Sequence, residues 1–285
     1  METKISTLTR EVIIGHNHPV VMIGERINPT GRKKLALSLE QGDMSLLKEE
    51  ALKQVKAGAQ VLDVNVGISG GDESALMVQA IKAISEVTDT PLCIDSAKPE
   101  VLAAGLAVYK GKALVNSANG EESKIKEVLP LVAQYKAAVV CLTMDDKGIP
   151  SDVPTRLNIA DKIVNESAKL GIPLEDIIID PLAMSVSADD QAGLSALTAL
   201  AQIKKNLGVN QTIGASNVSY GLPDRPVVNS VFLAMAVVRG LTCPITDPTN
   251  WMIKETLLLS DLMLGKDEFS MNFITGYREQ YPELD

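Results

Sequence analysis

The apolar positions of this chain fall in short runs that break off at a polar residue, with longer mixed segments between them. Val20-Val21-Met22-Ile23-Gly24 gives way to Glu25-Arg26-Ile27-Asn28-Pro29. A helical stretch over roughly 43–57 then stops before Gly58, and Val61-Leu62-Asp63-Val64-Asn65-Val66 follows. The same unit recurs at Pro91–Asp95, Ala113–Asn116, Ala138–Thr143, Ile177–Asp180, Thr212–Ser216 and Cys243–Thr246. Runs this short, bounded by turn-forming residues, predict strands buried on both faces. Between them, Ile125, Val128, Leu129 and Val132 repeat at i, i+3, i+4 and i+7, which puts them on one face of a helix. An apolar helix is predicted from about Val227 to Val238. Gly105, Gly171 and Gly240 are expected at helix ends, where a residue without a side chain accepts a left-handed conformation. Residues 1–18 read as a β-rich lead-in through Glu11-Val12-Ile13-Ile14-Gly15 and a turn at His16-Asn17-His18-Pro19. The tail from about Leu264, with Phe269, Phe273 and Tyr277, is expected to pack as a last helix.

Eight strand-then-helix units with starts about 32 residues apart match a (β/α)₈ TIM barrel, here an α/β fold with a short N-terminal β lead-in. A doubly wound open sheet shares the alternation. It calls for a Gly-rich phosphate turn after its first strand, which Gly24-Glu25-Arg26-Ile27-Asn28 does not supply. No linker interrupts the series, so residues 1–285 are expected to form a single domain.

The polar residues of each unit sit at one place, the C-terminal end of its strand: Glu25 and Asn28, Asp63 and Asn65, Asp95, Asn116, Thr143 and Asp145, Asp180, Asn217, and Asp247. In a barrel those ends converge on one mouth. Carboxylates and amides buried together are costly unless a ligand or one another satisfies them. Their natural complement is a flat molecule with hydrogen-bond donors along one edge.

Composition narrows the partners. A net charge of -9 without a basic tract argues against nucleic acid or an anionic membrane surface. The N-terminus, with Glu2, Lys4, Arg10 and Glu11, has no apolar core of a signal peptide, and a cytoplasmic location is expected. The apolar run Val231–Val238 is too short to span a bilayer. Cys93, Cys141 and Cys243 are widely spaced, and His16 and His18 lack a third ligand nearby, so no metal of its own is expected. The two histidines read as solvated. Gly67-Ile68-Ser69-Gly70-Gly71-Asp72 lacks the lysine of a phosphate-binding loop and reads as a plain barrel loop.

Six segments in order carry a resemblance: Gly24-Glu25-Arg26-Ile27-Asn28, Leu62-Asp63-Val64-Asn65-Val66-Gly67, Cys93-Ile94-Asp95-Ser96, Val115-Asn116-Ser117, Ile179-Asp180-Pro181-Leu182, and Gly214-Ala215-Ser216-Asn217-Val218-Ser219. Together they resemble the pterin-binding methyltransferases, and within them the methyltetrahydrofolate:corrinoid protein methyltransferases. The resemblance implies a barrel that takes tetrahydrofolate or methyltetrahydrofolate at its mouth and exchanges a methyl group with the cobalt of a corrinoid (cobalamin) carried by a partner protein. It implies that Asp95, Asn116 and Asp180 hold the pterin by its donor edge, that Asn217 is the catalytic group hydrogen-bonding N5, and that Arg225 lies near the same site. Glu25, Asn28, Asp63 and Asn65 are further candidates. Tyr220 and Gly221 depart from the polar amides that follow the Asn in acetogen enzymes. A homodimer is implied as well. Two other readings stand beside this one: a dihydropteroate synthase-like enzyme, for which Arg32, Lys33 and Lys34 are the only pyrophosphate candidates, and a non-catalytic folate-binding module.

Overall fold

Hydrogen bonding between parallel strands organises the molecule, seen in a computed structural model that describes residues 1–68 and 70–284. Strands β1 (Glu2–Ser6) and β2 (Glu11–Gly15) form an antiparallel hairpin. Eight parallel strands follow: β3 (Ile23–Ile27), β4 (Val61–Asn65), β5 (Leu92–Asp95), β6 (Leu114–Asn119), β7 (Ala138–Leu142), β8 (Ile177–Asp180), β9 (Asn210–Gln211) and β10 (Ile245–Thr246). Each pairs with its sequence neighbour from β3 to β9, and β10 pairs with β3. A bridge between Gly214 and Ile245, with Ile245 N–H donating to Ile213 O at 3.0 Å, joins the last two strands and completes the ring. The expected α/β TIM barrel with its β lead-in is what forms.

The helices are α1 (Lys33–Glu40), α2 (Ser45–Ala57), α3 (Glu73–Ser85), α4 (Pro99–Val108), α5 (Glu122–Tyr135), α6 (Val153–Lys169), α7 (Ala192–Asn206), α8 (Arg225–Arg239), α9 (Trp251–Met263) and α10 (Met271–Gln280). Their apolar faces cover the outer residues of the strands: Leu62, Val64, Ile94, Val115, Val139 and Ile179 share one core with Leu47, Met77, Leu102, Leu129 and Ile163. Side chains alternate along each strand, so the intervening residues point inward. Ile23, Val61, Cys93, Leu114, Ala138, Ile178 and Cys243 fill the barrel, and Ile5, Val12 and Ile14 of the hairpin pack into the same cluster. The hairpin thus closes the N-terminal end, and Asn210 ties it down by donating to Thr3 Oγ1 and Ile14 O at 2.9 Å.

Several boundaries differ from expectation. The seventh strand is Asn210–Gln211, not Thr212–Ser216; Ala215–Asn217 instead form a 3₁₀ turn. The first barrel strand extends to Ile27, and α1 was not anticipated because its N-cap, Arg32, makes no side-chain cap. Gly171 and Gly240 do take left-handed conformations after helices. Gly105 does not end α4: it lies inside it, because a Cβ there would stand 3.0–3.1 Å from Ile94, Ile81 and Met77. His16 is not free in solvent, since its Nε2 meets Val209 O at 3.0 Å, and His18 pairs with Glu2 at 2.7 Å. Phe269 is 84% exposed and does not pack with the tail helix. Ser69, in the glycine-rich loop, lies outside the described residues; Asp72 of that loop caps α3 by accepting from Ala75 N–H at 3.0 Å. Among the described residues no helix is long and apolar enough to cross a membrane.

Candidate active site

Two residues beyond the inward-facing core side chains, the same strands present their polar ends. Asp63 follows Val61, Asp95 follows Cys93, Asn116 follows Leu114, Asp180 follows Ile178, and Glu25 follows Ile23. Register sets which of them meet. Asn65 lies opposite Asp95, and Asp95 opposite Asn116. Asn65 Nδ2 donates to Asp95 Oδ2 at 3.0 Å, and Asn116 Nδ2 donates to Asp63 Oδ1 at 3.1 Å. Four of the anticipated residues therefore form one side of the mouth: Asp95 holds the amide of the adjacent strand β4, and Asp63 holds the amide of β6 across the intervening β5.

Burial sets the electrostatics of this side. Asp63 is only 4% exposed, and desolvation with the adjacent Asp95 charge raises its pKa well above the carboxylate range. Burial pushes Asp95 up to about 6, against the opposing pull of the Asn65 hydrogen bond. Beneath Asp95, Ser96 Oγ donates to Glu73 at 2.6 Å, and Lys98 pairs with that same Glu73 at 2.8 Å.

The other side is built from β8 and the turn after β9. Asp180 is 5% exposed and accepts from Leu182 N–H at 2.7 Å; burial raises it to about 7, more than that bond and the Gly214 N–H lower it. Arg156 of α6, 2% exposed, donates to Pro150 O, Pro181 O and Leu182 O and so fixes the backbone behind Asp180. Gly214 connects Asp180 to Asn217, because a Cβ on Gly214 would stand 3.2 Å from Asn217 Nδ2. Asn217 itself is exposed, and its side-chain amide has no hydrogen-bond partner among the described residues. Its turn is braced from both sides. Ser216 Oγ donates to Glu25 at 2.8 Å, while Arg225 donates to Ser219 Oγ at 3.1 Å and to Ser216 O at 2.7 Å. Burial raises the Glu25 pKa, opposed by that Ser216 bond.

The remaining candidates play local parts. Asn28 Oδ1 accepts from Thr30 N–H at 2.9 Å within its own turn, and Asp145 does the same for Lys147 N–H at 2.9 Å. Asp247 receives Arg26 at 2.7 Å on the rim. Tyr220 is 70% exposed; its carbonyl, not its ring, is used, accepting from Ser185 and Ser187. Arg156 and Ser216 were not anticipated as site-supporting residues. The signal for Arg156 was its place in the buried row of α6 with Ile159, Ala160, Ile163 and Ser167, where a charge must find partners. Among the described residues no group of three or more His, Cys, Asp or Glu side chains is placed to hold a metal ion.

The sequence profile described as pterin binding enzyme matches residues 24–247, which contain both sides of the mouth. A methylcorrinoid:tetrahydrofolate methyltransferase of Eubacterium limosum is 30% identical over 266 residues, covering 91% of this chain and 97% of that protein. Methionine synthase of Mycobacterium tuberculosis (strain ATCC 25618 / H37Rv) is 31% identical over 84% of this chain, a match that takes up 21% of that longer protein. Among solved structures, dihydropteroate synthase from Xanthomonas albilineans in complex with 7,8-dihydropteroate superposes with a TM-score of 0.69 at 19% identity, covering 92% of this chain and 98% of that one.

Proposed function

Because this chain belongs to the pterin-binding enzyme family, we propose that it is a methyltransferase moving a methyl group between N5 of tetrahydrofolate and the cobalt of a corrinoid protein. Asp95, Asn116 and Asp180 hold the pterin ring: the carboxylates accept from its amino group and ring N–H, and the Asn amide serves its carbonyl or a ring nitrogen. Asn217 hydrogen-bonds N5. The single observation that carries this reading is an unpartnered amide on a braced turn, next to carboxyls that burial holds near or above the edge of ionisation.

In the direction named for the Eubacterium relative, the N5 lone pair forms the new N–C bond. The C–Co bond breaks with both electrons going to cobalt, Co(III) becoming Co(I), and N5 then sheds its proton. As charge builds on N5, the Asn217 carbonyl oxygen accepts from N5–H more strongly. In the opposite direction N5 of methyltetrahydrofolate first takes up a proton, Co(I) attacks the methyl carbon, and the C–N bonding pair returns to nitrogen while the same Asn217 oxygen accepts from N5–H. One amide orientation serves both directions, and a hydrogen bond that is strongest where charge sits on N5 lowers the barrier to transfer more than it strengthens substrate binding. Glu25 and Arg225 position the turn; Asp63 and Asn65 hold Asn116 and Asp95.

In this reading the corrinoid is carried by a partner protein, as the name of the Eubacterium relative, a methylcorrinoid:tetrahydrofolate methyltransferase, suggests. Two copies pair through the exposed apolar row Val227, Val231, Met235 and Val238 of α8, and the enzyme works in the cytoplasm. Dihydropteroate synthesis fits less well. Arg32, first of the pyrophosphate candidates, is engaged with Glu50 at 2.9 Å and with Arg26 O. Anaerobic mixing of the protein with tetrahydrofolate and methylcobalamin, and with methyltetrahydrofolate and Co(I) cobalamin, tests the reading. Loss or gain of the methylcobalamin spectrum is the expected result; an unchanged spectrum in both mixtures, with folate bound, rejects methyl transfer in favour of a binding module.

A further inference from the structure

The turn that carries Asn217 holds a second side chain that the rest of the molecule leaves unused. Tyr220 N–H donates to Asn217 O at 3.2 Å, just past the 3₁₀ turn Ala215–Asn217. A bond from residue i+3 back to residue i is the 3₁₀ pattern, in which side chains three apart stand on one face. The Tyr220 ring therefore rises beside the Asn217 amide. It is 70% exposed and makes no hydrogen bond or ring contact among the described residues. Its main chain, by contrast, is pinned. The Tyr220 carbonyl accepts from Ser185 Oγ at 2.6 Å and Ser187 Oγ at 2.8 Å, and Arg225 holds Ser216 O and Ser219 Oγ within the same turn. A lone apolar side chain on a surface needs no explanation. A bare ring on a backbone fixed at this many points is different, because its main chain has little freedom left to lose when something covers it.

The neighbouring loop extends the patch. Val186 N–H donates to Val218 O at 3.0 Å, so the chain after β8 runs alongside the Asn217 turn. Met184, two residues earlier, is 41% exposed on that edge. Its loop is fixed at Leu182, which has a left-handed φ of 64° and is held by Asp180 Oδ1 on its N–H at 2.7 Å and by Arg156 on its carbonyl at 2.9 Å. A non-glycine residue persists in that conformation only where its surroundings over-determine it. What covers the patch follows from the methyltransferase reading above, on which this inference rests. Asn217 addresses N5, and a cobalt approaching the N5 substituent must come in line to within about 3–3.5 Å before reaction. The corrin around that cobalt is a wide, largely apolar macrocycle, and with its centre over N5 its periphery overhangs whatever stands beside Asn217. The pterin is assigned to Asp95, Asn116 and Asp180, all buried or half-buried within the mouth. A ring as exposed as Tyr220 suits the substrate that arrives from outside. We infer that Tyr220, with Met184, binds the corrin macrocycle itself, whichever protein carries it.

The test is the dissociation constant of free methylcobalamin for the enzyme saturated with methyltetrahydrofolate, measured by equilibrium dialysis. Both substrates then carry a methyl group, and no transfer intervenes. Tyr220→Ala is expected to raise that constant about tenfold, which is less than full burial of an aromatic ring is worth. Tyr220→Phe keeps the ring and should restore binding to within about twofold, and Met184→Ala should cost about two- to threefold. Folate affinity should be unchanged throughout, which also reports an intact mouth. In transfer from methylcobalamin to tetrahydrofolate, Tyr220→Ala should raise KM for the corrinoid and leave kcat nearly as it was, since this contact is the same in ground and transition states. Equal methylcobalamin binding by Tyr220→Ala and the unaltered protein, or a loss in Tyr220→Phe as large as in Tyr220→Ala, overturns the proposal and leaves the methyltransferase reading standing. So does a loss of folate affinity that matches the loss of cobalamin affinity, which gives the ring to the folate. An unaltered protein that neither binds methylcobalamin nor transfers a methyl group overturns the methyltransferase reading and this inference with it.

Discussion

The two sides of the mouth are made of the same residue types and are held in opposite states. On the β4–β6 side each site amide already gives one N–H to a carboxylate: Asn65 to Asp95 and Asn116 to Asp63. On the β8–β9 side Asp180 takes only backbone N–H groups, and Asn217 takes nothing. A cross-linked set is rigid in advance and loses little freedom when a ligand arrives. An unpartnered amide on a braced turn keeps its hydrogen-bonding capacity for a partner whose charge changes. Under the proposed reading the contrast gives the paired side a holding role and sets Asn217, the one unpaired amide of the second side, apart from its holding neighbour Asp180; each prediction below is a way to break that division or draw it more finely.

The largest effect belongs to the unpaired side. Asn217→Ala is expected to lower kcat about 10²–10³-fold, or about 2.7–4 kcal/mol in the barrier, with folate affinity nearly unchanged. Single-turnover transfer to or from cobalamin, followed by absorbance alongside equilibrium folate binding, separates the two quantities. A matched loss in both makes Asn217 a holding residue and removes the contrast. Next comes Asp180. Replacing it with Asn removes a charged acceptor, and a loss of about 1.5–3 kcal/mol of folate binding is expected. Its pH behaviour gives the sharper reading. Burial raises the free carboxyl to about 7, and donors on the ligand favour the ionised form. Binding must therefore expel a proton below that pH, so affinity should rise up to about tenfold per unit as pH climbs toward 7 and level off above it. With Asp180→Asn that slope should flatten, leaving only the weaker inflection from Asp95, which burial places at about 6. A titration of folate affinity from pH 5 to 9 on both proteins decides it.

How much of this was written in the sequence depends on the range of the interaction. The inward direction of Asp95, Asn116 and Asp180 follows from two-residue alternation after Cys93, Leu114 and Ile178, which any strand imposes. The crosswise bonds Asn65–Asp95 and Asn116–Asp63 depend on the stagger between strands, and no single segment records that. The seventh strand ends earlier than its sequence predicts, because the apolar run through Ile213 has the pattern of ladder. In the ring Thr212 turns its hydroxyl to Cys243 O at 2.6 Å, and the chain then breaks into the 3₁₀ turn that carries Asn217. Gly105 differs from expectation because its reason is three side chains from other elements, Ile94, Ile81 and Met77, whereas Gly171 and Gly240 answer to their own backbone. The bond from His16 to Val209 O spans most of the chain and was equally invisible.

A smaller change tests whether the turn's position, rather than its mere presence, matters. At Gly214 an added Cβ would lie 3.2 Å from Asn217 Nδ2, close enough to push the amide by a few tenths of an ångström. Misplacement by 1 Å can cost on the order of 10²-fold, so Gly214→Ala should lower kcat by a few-fold and leave the folate dissociation constant where it was. An unchanged kcat means that the amide adapts and that its placement by the turn is dispensable.

The smallest effect is expected on the paired side, and it should appear in a different measurement. Asn65→Ala takes one donor from Asp95 and one acceptor from Gly67 N–H. Both sites are partly open, so water replaces much of what is lost, and stability should fall by about 1 kcal/mol in urea unfolding. The Asn65 bond is what pulls the Asp95 pKa down against burial, so its removal should move the lower inflection of the folate-affinity profile upward from about 6. With Asp95 fully ionised at pH 8, kcat should stay within about twofold of the unaltered enzyme, since a group that only holds acts equally on ground and transition states. A large fall in kcat at pH 8 with stability unchanged would put the paired side in the chemistry and reverse the division of labour between the two halves of the mouth.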